Sequence, residues 1–253
     1  SDGNNRKPPM EITFDAGLHG SYDLVSPLLK KRGIPAKFLL NNKFIDNKVL
    51  FYRYKASLLI HKVRDDCRAR EEVAARLKID VNQLETAIGM IGWSQAALLD
   101  VLAHEAELDY SGYLRYRPVY MSSTEVKDLL EWGFEIGAHS SDHMDFSQLE
   151  AEEIKQQVKS SIKDLKKRFG IKTAYFSFPF TSDGISGKLI DEMLEDVTAT
   201  ALLGTAGLKQ TGRRPYIQRI PMEKYELSAL ETLKTEYLYY LLKAPLGRNR
   251  LRD

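Results

Sequence analysis

The sequence predicts an α/β protein with the layout of a (β/α) barrel. Short apolar runs typical of buried strands alternate with amphipathic helical patterns, and polar residues suited to chemistry follow two of these runs. A length of 253 residues with 43% hydrophobic content suits one domain with a sizeable core. We therefore expect residues 1–253 to form a single domain, with a helical insertion at about 44–120.

The first part of the chain reads as strand, helix, strand. Residues 10–14 form an apolar run, residues 22–31 have apolar side chains on one helical face, and residues 36–40 form a second apolar run. Asp15 and Ala16 follow the first strand directly. Barrels of this class carry their chemistry at the carboxyl ends of their strands, so these two positions are candidates for an active site.

The alternation then gives way to the helical insertion. Four of its segments have apolar residues three and four apart, at 50–63, 70–77, 81–88 and 96–104. We expect the insertion to cover one rim of the barrel, where it either extends the core or shapes a substrate cleft.

The side chains of the insertion leave further alternatives open. Four tyrosines either pack in its core, which is the commoner use, or line a sugar site: Tyr110, Tyr113, Tyr116 and Tyr120. A role as an interaction surface instead requires four apolar residues to be exposed: Phe51, Leu58, Leu59 and Trp93.

Regular alternation resumes beyond the insertion. A helix at 124–132, with Ser123 as N-cap and Gly133 as its stop, precedes a strand at 134–138 that ends next to His139. A long amphipathic helix at 150–169 and a strand running into a loop at 173–180 follow.

Two short motifs carry the chemistry. His139 and His143 lie four apart in His-Ser-Ser-Asp-His, a spacing that lets two imidazoles bind one metal ion, and Asp15 lies in Thr-Phe-Asp-Ala-Gly. On these residues the chain resembles the polysaccharide deacetylase family of metal-dependent carbohydrate esterases. The family signature H-S-x-x-H matches in full, and T-F-D-D-G matches in four of five positions. The resemblance implies a distorted (β/α) barrel of the deacetylase type.

The resemblance also implies roles for these residues. Asp15 would be the general base and His139 and His143 metal ligands, while Ala16 stands where the family has its carboxylate ligand. The implied cofactor is a divalent metal, zinc being the expected ion, with weakened or absent binding because a methyl group cannot coordinate a cation. His19 is a possible replacement ligand, although a solvent-facing position is favoured. Ala16 is either a natural loss or a change introduced into an otherwise active enzyme.

The family's third signature, R-x-P-Y, is matched in part. Pro179 and Phe180 correspond to its last two residues, and the amide of Phe180 would help to stabilise the oxyanion. Ser177 stands at the arginine position, whose guanidinium steadies the catalytic aspartate in the family. Arg219 either reaches the same place from a late strand or forms an ordinary surface salt bridge.

The family's late L-x-x-H motif, whose histidine is the general acid, has no counterpart, since no histidine follows His143. Asp183 is a candidate for that role, with a turn residue as the favoured alternative. The resemblance thus implies a hydrolase that removes N- or O-acetyl groups from a carbohydrate and is impaired by Ala16. The alternative is a catalytically inactive carbohydrate-binding or regulatory relative.

Composition bounds the partners. A net charge of +2 argues against nucleic acid, and no apolar stretch has the length of a membrane span. Residues 1–9 are polar and do not read as a signal peptide, which slightly favours the cytoplasm. Cys67 is the single cysteine, so no internal disulfide can form. The expected partner is an acetylated carbohydrate substrate, and the oligomeric state stays open.

Overall fold

The computed structural model describes residues 10–196, 199–213, 215–223, 227–247 and 249–251. These residues fall into two compact units, one from Ser1–Asn42 and Ser123–Asp253 and the other from Lys43–Ser122. The polar segment 1–9 lies outside the described residues. The single-domain assignment and the position of the insertion over one barrel rim stay predictions.

The described elements follow one another along the chain in the order β1 (Ile12–Ala16), α1 (Ser26–Arg32), β2 (Ala36–Leu40), α2 (Tyr52–Asp65), α3 (Cys67–Leu77), α4 (Leu84–Gly89), α5 (Ala96–Glu105), α6 (Tyr110–Tyr116), α7 (Ser123–Glu131), β3 (Glu135–Ala138), α8 (Ala151–Phe169), β4 (Tyr175–Ser177), α9 (Gly187–Asp196), β5 (Ala201–Gly204), β6 (Tyr216–Gln218) and α10 (Ala229–Lys243). A π-helical turn, Ser21–Val25, precedes α1. Single 3₁₀ turns lie at Val81–Gln83, Trp93–Gln95, Phe146–Gln148 and Ala244–Leu246.

In the first unit, the described strands form one parallel sheet in the order β1-β2-β3-β4-β5-β6. The sheet curls into a half-barrel with helices around it, which confirms the predicted (β/α) barrel class. Sequential parallel pairing places the carboxyl ends of all these strands at one edge, where the candidate residues lie.

Strand boundaries agree with the prediction at β2 and differ elsewhere. β1 runs from Ile12 to Ala16, two residues later than predicted, because its pairing with β2 extends from Ile12 opposite Ala36 to Ala16 opposite Leu40. Aspartate is uncommon in strands, so a prediction based on apolar residues alone ends β1 too early, before Asp15. β4 keeps only three residues of the predicted run.

Helix ends show two further differences. The helix predicted at 22–31 is a π-helical turn followed by α1. Ser123 lies inside α7 rather than capping it. Gly133 is confirmed as the stop, since it has φ 86° and the amide of the next residue, Phe134, donates to the carbonyl of Leu129.

The core strand β2 is apolar apart from one charged residue. Every residue of β2 is buried, as expected for a parallel strand covered on both faces. Lys37 is the charged member, and its ammonium donates to Glu11 at 2.8 Å and to Glu135. Burial lowers the pKa of Lys37, but the hydrogen bonds to these two carboxylates outweigh it and raise the pKa to about 12.

The second unit is helical, as predicted for the insertion, and has its own core. Tyr110 and Tyr120 are buried in one cluster with Phe44, which confirms the packing interpretation for these two tyrosines, whereas Tyr116 is 84% exposed. Leu59 is fully buried, and the other apolar residues that an interaction surface would need are half-buried: Phe51, Leu58 and Trp93. These residues therefore do not supply the exposed surface which that alternative requires.

Among the described helices, none is by itself long and apolar enough to cross a membrane. One bent pair, Val81–Gly89 with Trp93–Glu105, meets the length and composition criteria together, at an angle of 115°.

Candidate active site

Asp15 lies at the carboxyl end of β1 in a bidentate ion pair. The Arg219 guanidinium donates to its Oδ1 at 2.8 Å and to its Oδ2 at 2.9 Å, and the Ser177 hydroxyl donates to Oδ2 at 3.0 Å. Arg219 also donates to Thr13 and contacts the Ser177 hydroxyl. With side-chain exposures of 16% for Arg219 and 27% for Asp15, this is a partly buried pair, and the surface alternative for Arg219 is wrong.

The surroundings keep the Asp15 carboxyl ionised. Burial alone would raise its pKa, but the electrostatic interaction with His139, the hydrogen bond and charge of Arg219 and the hydrogen bond from Ser177 lower it to about 2. At neutral pH the group is therefore a carboxylate that can only accept hydrogen bonds. Its orientation is fixed by the planar Arg219 guanidinium, which bonds both carboxylate oxygens, and by the Ser177 hydroxyl, which bonds Oδ2.

His139 and His143 come together as their spacing predicted. Their ring centroids are 4.7 Å apart with the planes at 76°. His139 is 2% exposed, and its Nδ1 lies 2.9 Å from the carbonyl oxygen of Ser177. Because a carbonyl only accepts, Nδ1 carries the proton and Nε2 keeps the lone pair. Burial lowers the pKa of His139, so the ring is neutral at pH 7 and can act as a ligand.

Ala16 has a backbone conformation that suits other residues better. Its φ of 72° lies in the left-handed region, and Gly17 follows with φ 68°. A Cβ at Gly17 would lie 3.0 Å from Leu40 Cδ2, so only glycine fits there without movement. Asparagine and aspartate tolerate the left-handed region better than alanine does. The left-handed backbone at position 16 is therefore better suited to aspartate, which the family signature has there, than to alanine.

The loop after β4 approaches the histidines. Phe180 has φ 57°, and the Thr181 amide donates to the Pro179 carbonyl oxygen at 2.7 Å, which closes a tight turn over Phe180. The Phe180 ring meets that of His143 edge-on, with centroids 4.7 Å apart. The two residues matched to the third signature therefore lie beside the candidate ligands.

Two other candidates have different surroundings. His19 places its Nδ1 3.0 Å from Glu125 Oε1 of α7, and it belongs to no group of three possible metal ligands among the described residues. Asp183 is exposed, and its amide donates to the Thr181 hydroxyl at 3.0 Å. The turn is therefore made by the threonine side chain and not by that of Asp183, whose role as the acid stays a prediction.

The donor set does not complete a metal site. Catalytic zinc takes three protein ligands and keeps a fourth position open. His139 and His143 can supply two of them, Ala16 supplies none, and no three His, Cys, Asp or Glu side chains of the described residues come together to hold an ion. The geometry fits two imidazole ligands and lacks the third ligand.

Sequence reasoning missed two residues that contact the histidine loop. Asn41 follows β2 and is 1% exposed, and Gln157 comes from the middle of α8. A polar residue directly after a fully buried strand was a usable signal for Asn41. Nothing in the amphipathic pattern of α8 distinguished Gln157 from its other half-exposed polar residues.

Comparisons with known proteins agree with this fold. A family model described as "Polysaccharide deacetylase" matches residues 2–193. IcaB from Ammonifex degensii is similar in structure, with 15% identity and a TM-score of 0.51 over 91% of this chain and 73% of that one. The Streptococcus pyogenes deacetylase PplD, solved with acetate, has 14% identity and a TM-score of 0.51 over 92% of this chain and 74% of that one. At such identities the likeness shows the fold, which confirms a barrel of the deacetylase type. No curated protein matches the sequence significantly.

Proposed function

Because the chain belongs to the polysaccharide deacetylase family, we propose that it is a hydrolase built to remove acetyl groups from a carbohydrate and impaired by Ala16. One observation carries this proposal. The oriented Asp15 carboxylate and the His139–His143 pair lie at the same edge of the sheet, with Nδ1 of His139 3.9 Å from Oδ2 of Asp15. A general base and two imidazoles at this separation suit hydrolysis with an activated water.

In this proposal Asp15 accepts the proton of the attacking water. A carboxylate with a pKa of about 2 is a weak base, so it removes a proton efficiently only from a water that is itself acidified. A bound divalent metal supplies that acidification when a site is complete. Since the residues present supply only two ligands, we expect turnover by this chain to be strongly reduced.

Other residues of the chain have supporting roles. Arg219 and Ser177 fix the direction of the Asp15 oxygens, a task that the family assigns to the arginine of R-x-P-Y. The amide of Phe180, after Pro179, would donate to the developing oxyanion. Protonation of the leaving group falls to solvent water or to Asp183, which is exposed near the same loop.

The second candidate function is a carbohydrate-binding relative without catalysis. The incomplete donor set at Ala16 favours it. The Asp15–Arg219 pair argues against this function. Holding a partly buried carboxylate beside two histidines costs desolvation energy, and a site without catalysis has no need of that carboxylate.

Acetate release separates these functions. We would assay the native chain, Ala16→Asp and Ala16→Asn with acetylated chitooligosaccharide and zinc. Asparagine tolerates the same backbone conformation as aspartate but lacks its charge, so it is the matched control. We expect turnover to appear in Ala16→Asp and not in Ala16→Asn. Glycan binding by all three proteins with no acetate release from any would contradict the hydrolase and support the binding role.

A further inference from the structure

The loop that carries both histidines has an unfavourable backbone. Ser140 has φ 63° and His143 has φ 58°, in the left-handed region that residues other than glycine seldom adopt, serine less readily than histidine. Such conformations persist only where surrounding contacts hold them. The loop must therefore be fixed by interactions that reach it from outside.

Asn41 supplies the first of these interactions. The β2–β3 ladder ends with the His139 amide, which donates to the Leu40 carbonyl oxygen at 2.9 Å. Beyond this point the chain turns away at Ser140, and the Asn41 side-chain amide donates to the carbonyl oxygens of His139 and, at 3.3 Å, of Ser140. The side chain thus satisfies carbonyl groups that the backbone ladder no longer reaches.

Two further hydrogen bonds complete the support. The Ser140 hydroxyl accepts from the His143 amide at 2.9 Å, which closes the loop on itself. From α8, Gln157 Oε1 accepts from the Ser141 amide at 3.1 Å. The Nδ2 of Asn41 also lies 3.5 Å from the Ser140 hydroxyl, so it contacts both the backbone and the side chain that hold His143 in place.

We propose that Asn41 is a positioning residue for the two histidines, with Gln157 as a second anchor of their loop. His139 is independently held by the Ser177 carbonyl, so loss of Asn41 acts mainly on Ser140 and on His143. Without the amide of Asn41, Ser140 relaxes toward an ordinary conformation and the His143 ring moves away from its 4.7 Å distance to His139. Any loss of metal binding or activity that follows from this movement rests on the proposed function. The placement of the histidines by Asn41 does not.

A matched pair of variants tests the placement. Asn41→Leu keeps a similar volume and removes the donors. Asn42→Ala is the control, because Asn42 leaves the same end of β2 and donates to Asp164 of α8 at 3.0 Å. Amide hydrogen exchange, followed by NMR, compares the His143 amide with that of Phe38 in the core of β2.

We expect the His143 amide of Asn41→Leu to exchange at least ten times faster relative to Phe38, with shifted ring resonances of His143, and Asn42→Ala to change neither. An equal acceleration at both amides, with unchanged histidine resonances, would mean that Asn41 only stabilises the strand end and would overturn the proposal. If Asn41→Leu does not fold, we would use Asn41→Ser, whose side chain is too short to reach both carbonyl oxygens. The same two measurements apply to it, namely the exchange of the His143 amide relative to Phe38 and the His143 ring resonances.

A second readout uses the Ala16→Asp background. There we expect Asn41→Leu to weaken zinc binding by roughly 10–100-fold, as changes behind metal ligands do, and to lower kcat with little change in KM. Unchanged affinity and kcat would contradict positioning. If Ala16→Asp with Asn41 intact neither binds zinc nor releases acetate, the proposed function fails, and the exchange comparison still decides the role of Asn41.

Discussion

Replacing Arg219 tests how the Asp15 carboxylate is held. In the native chain the pKa of Asp15 falls from 3.8 to about 2. At about 1.4 kcal/mol per pKa unit, the surroundings of Asp15, which are burial, His139, Arg219 and Ser177 taken together, contribute roughly 2 kcal/mol to the free energy of unfolding. The sign follows from the lowered pKa: the contribution is complete above pH 4 and is lost as the pH falls through 2.

Arg219→Gln removes the guanidinium and leaves a carboxylate that is only 27% exposed. The guanidinium no longer lowers the pKa of Asp15, so that pKa rises from about 2, and we expect a destabilisation of about 2–3 kcal/mol at pH 7, below the 3–5 kcal/mol of fully buried pairs. Below the raised pKa this difference shrinks by about 1.4 kcal/mol per pH unit, because the variant takes up a proton that the native chain does not.

Urea unfolding of both proteins at pH 7, 5 and 3 measures these differences. Arg213→Gln is the control, since Arg213 pairs with Asp191 at 2.9 Å but Asp191 is 49% exposed, and we expect it to cost at most about 1 kcal/mol. A cost for Arg219→Gln under about 0.5 kcal/mol, or one that does not change with pH, would refute the reasoning.

Three further changes test other parts of the structure by the same unfolding measurement. Replacing Glu11 and Glu135 together by Gln leaves the buried Lys37 ammonium without its carboxylate partners, and we expect the free energy of unfolding to fall by about 3–5 kcal/mol. Lys37→Met removes the charge itself and should change that free energy by no more than about 1 kcal/mol. Equal losses in the two variants would contradict a buried charge held by these carboxylates. Gly17→Ala should cost about 1–3 kcal/mol because of its positive φ and its contact with Leu40, and a neutral result would contradict the described turn. Ala16→Asn should stabilise the chain by roughly 0.5–1 kcal/mol by easing the left-handed backbone, and a loss of stability would contradict the φ assigned there.

The sequence was sufficient where the signal is local. The apolar run at 36–40 predicted both ends of β2 correctly. The four-residue spacing of the histidines predicted that their rings would lie together, as they do. The apolar run at 10–14 also placed Asp15 correctly at a strand end. Each of these depends on residues within a few positions of one another, which periodicity and spacing can register.

The rest depends on contacts between distant parts of the chain. Arg219 meets Asp15 across 204 positions, and sequence alone left it balanced between this role and a surface pair. The hydrogen bond from Asn41 to the His139 carbonyl spans 98 positions and was not foreseen. The ending of β1 at Ala16 was also missed, because the register with β2 extends a strand beyond its apolar residues.

Calorimetric titration with zinc tests the central claim most directly, namely that the site lacks a single carboxylate ligand. The native chain and Ala16→Asn should bind zinc weakly through two imidazoles. Ala16→Asp should bind zinc more tightly than both of these proteins, because it restores a charged ligand. The gain in affinity should exceed the roughly 10–100-fold loss that substitutions behind metal ligands produce. Equal affinities for Ala16→Asp and Ala16→Asn would contradict the account, since the histidines would then not face the position where the carboxylate is missing.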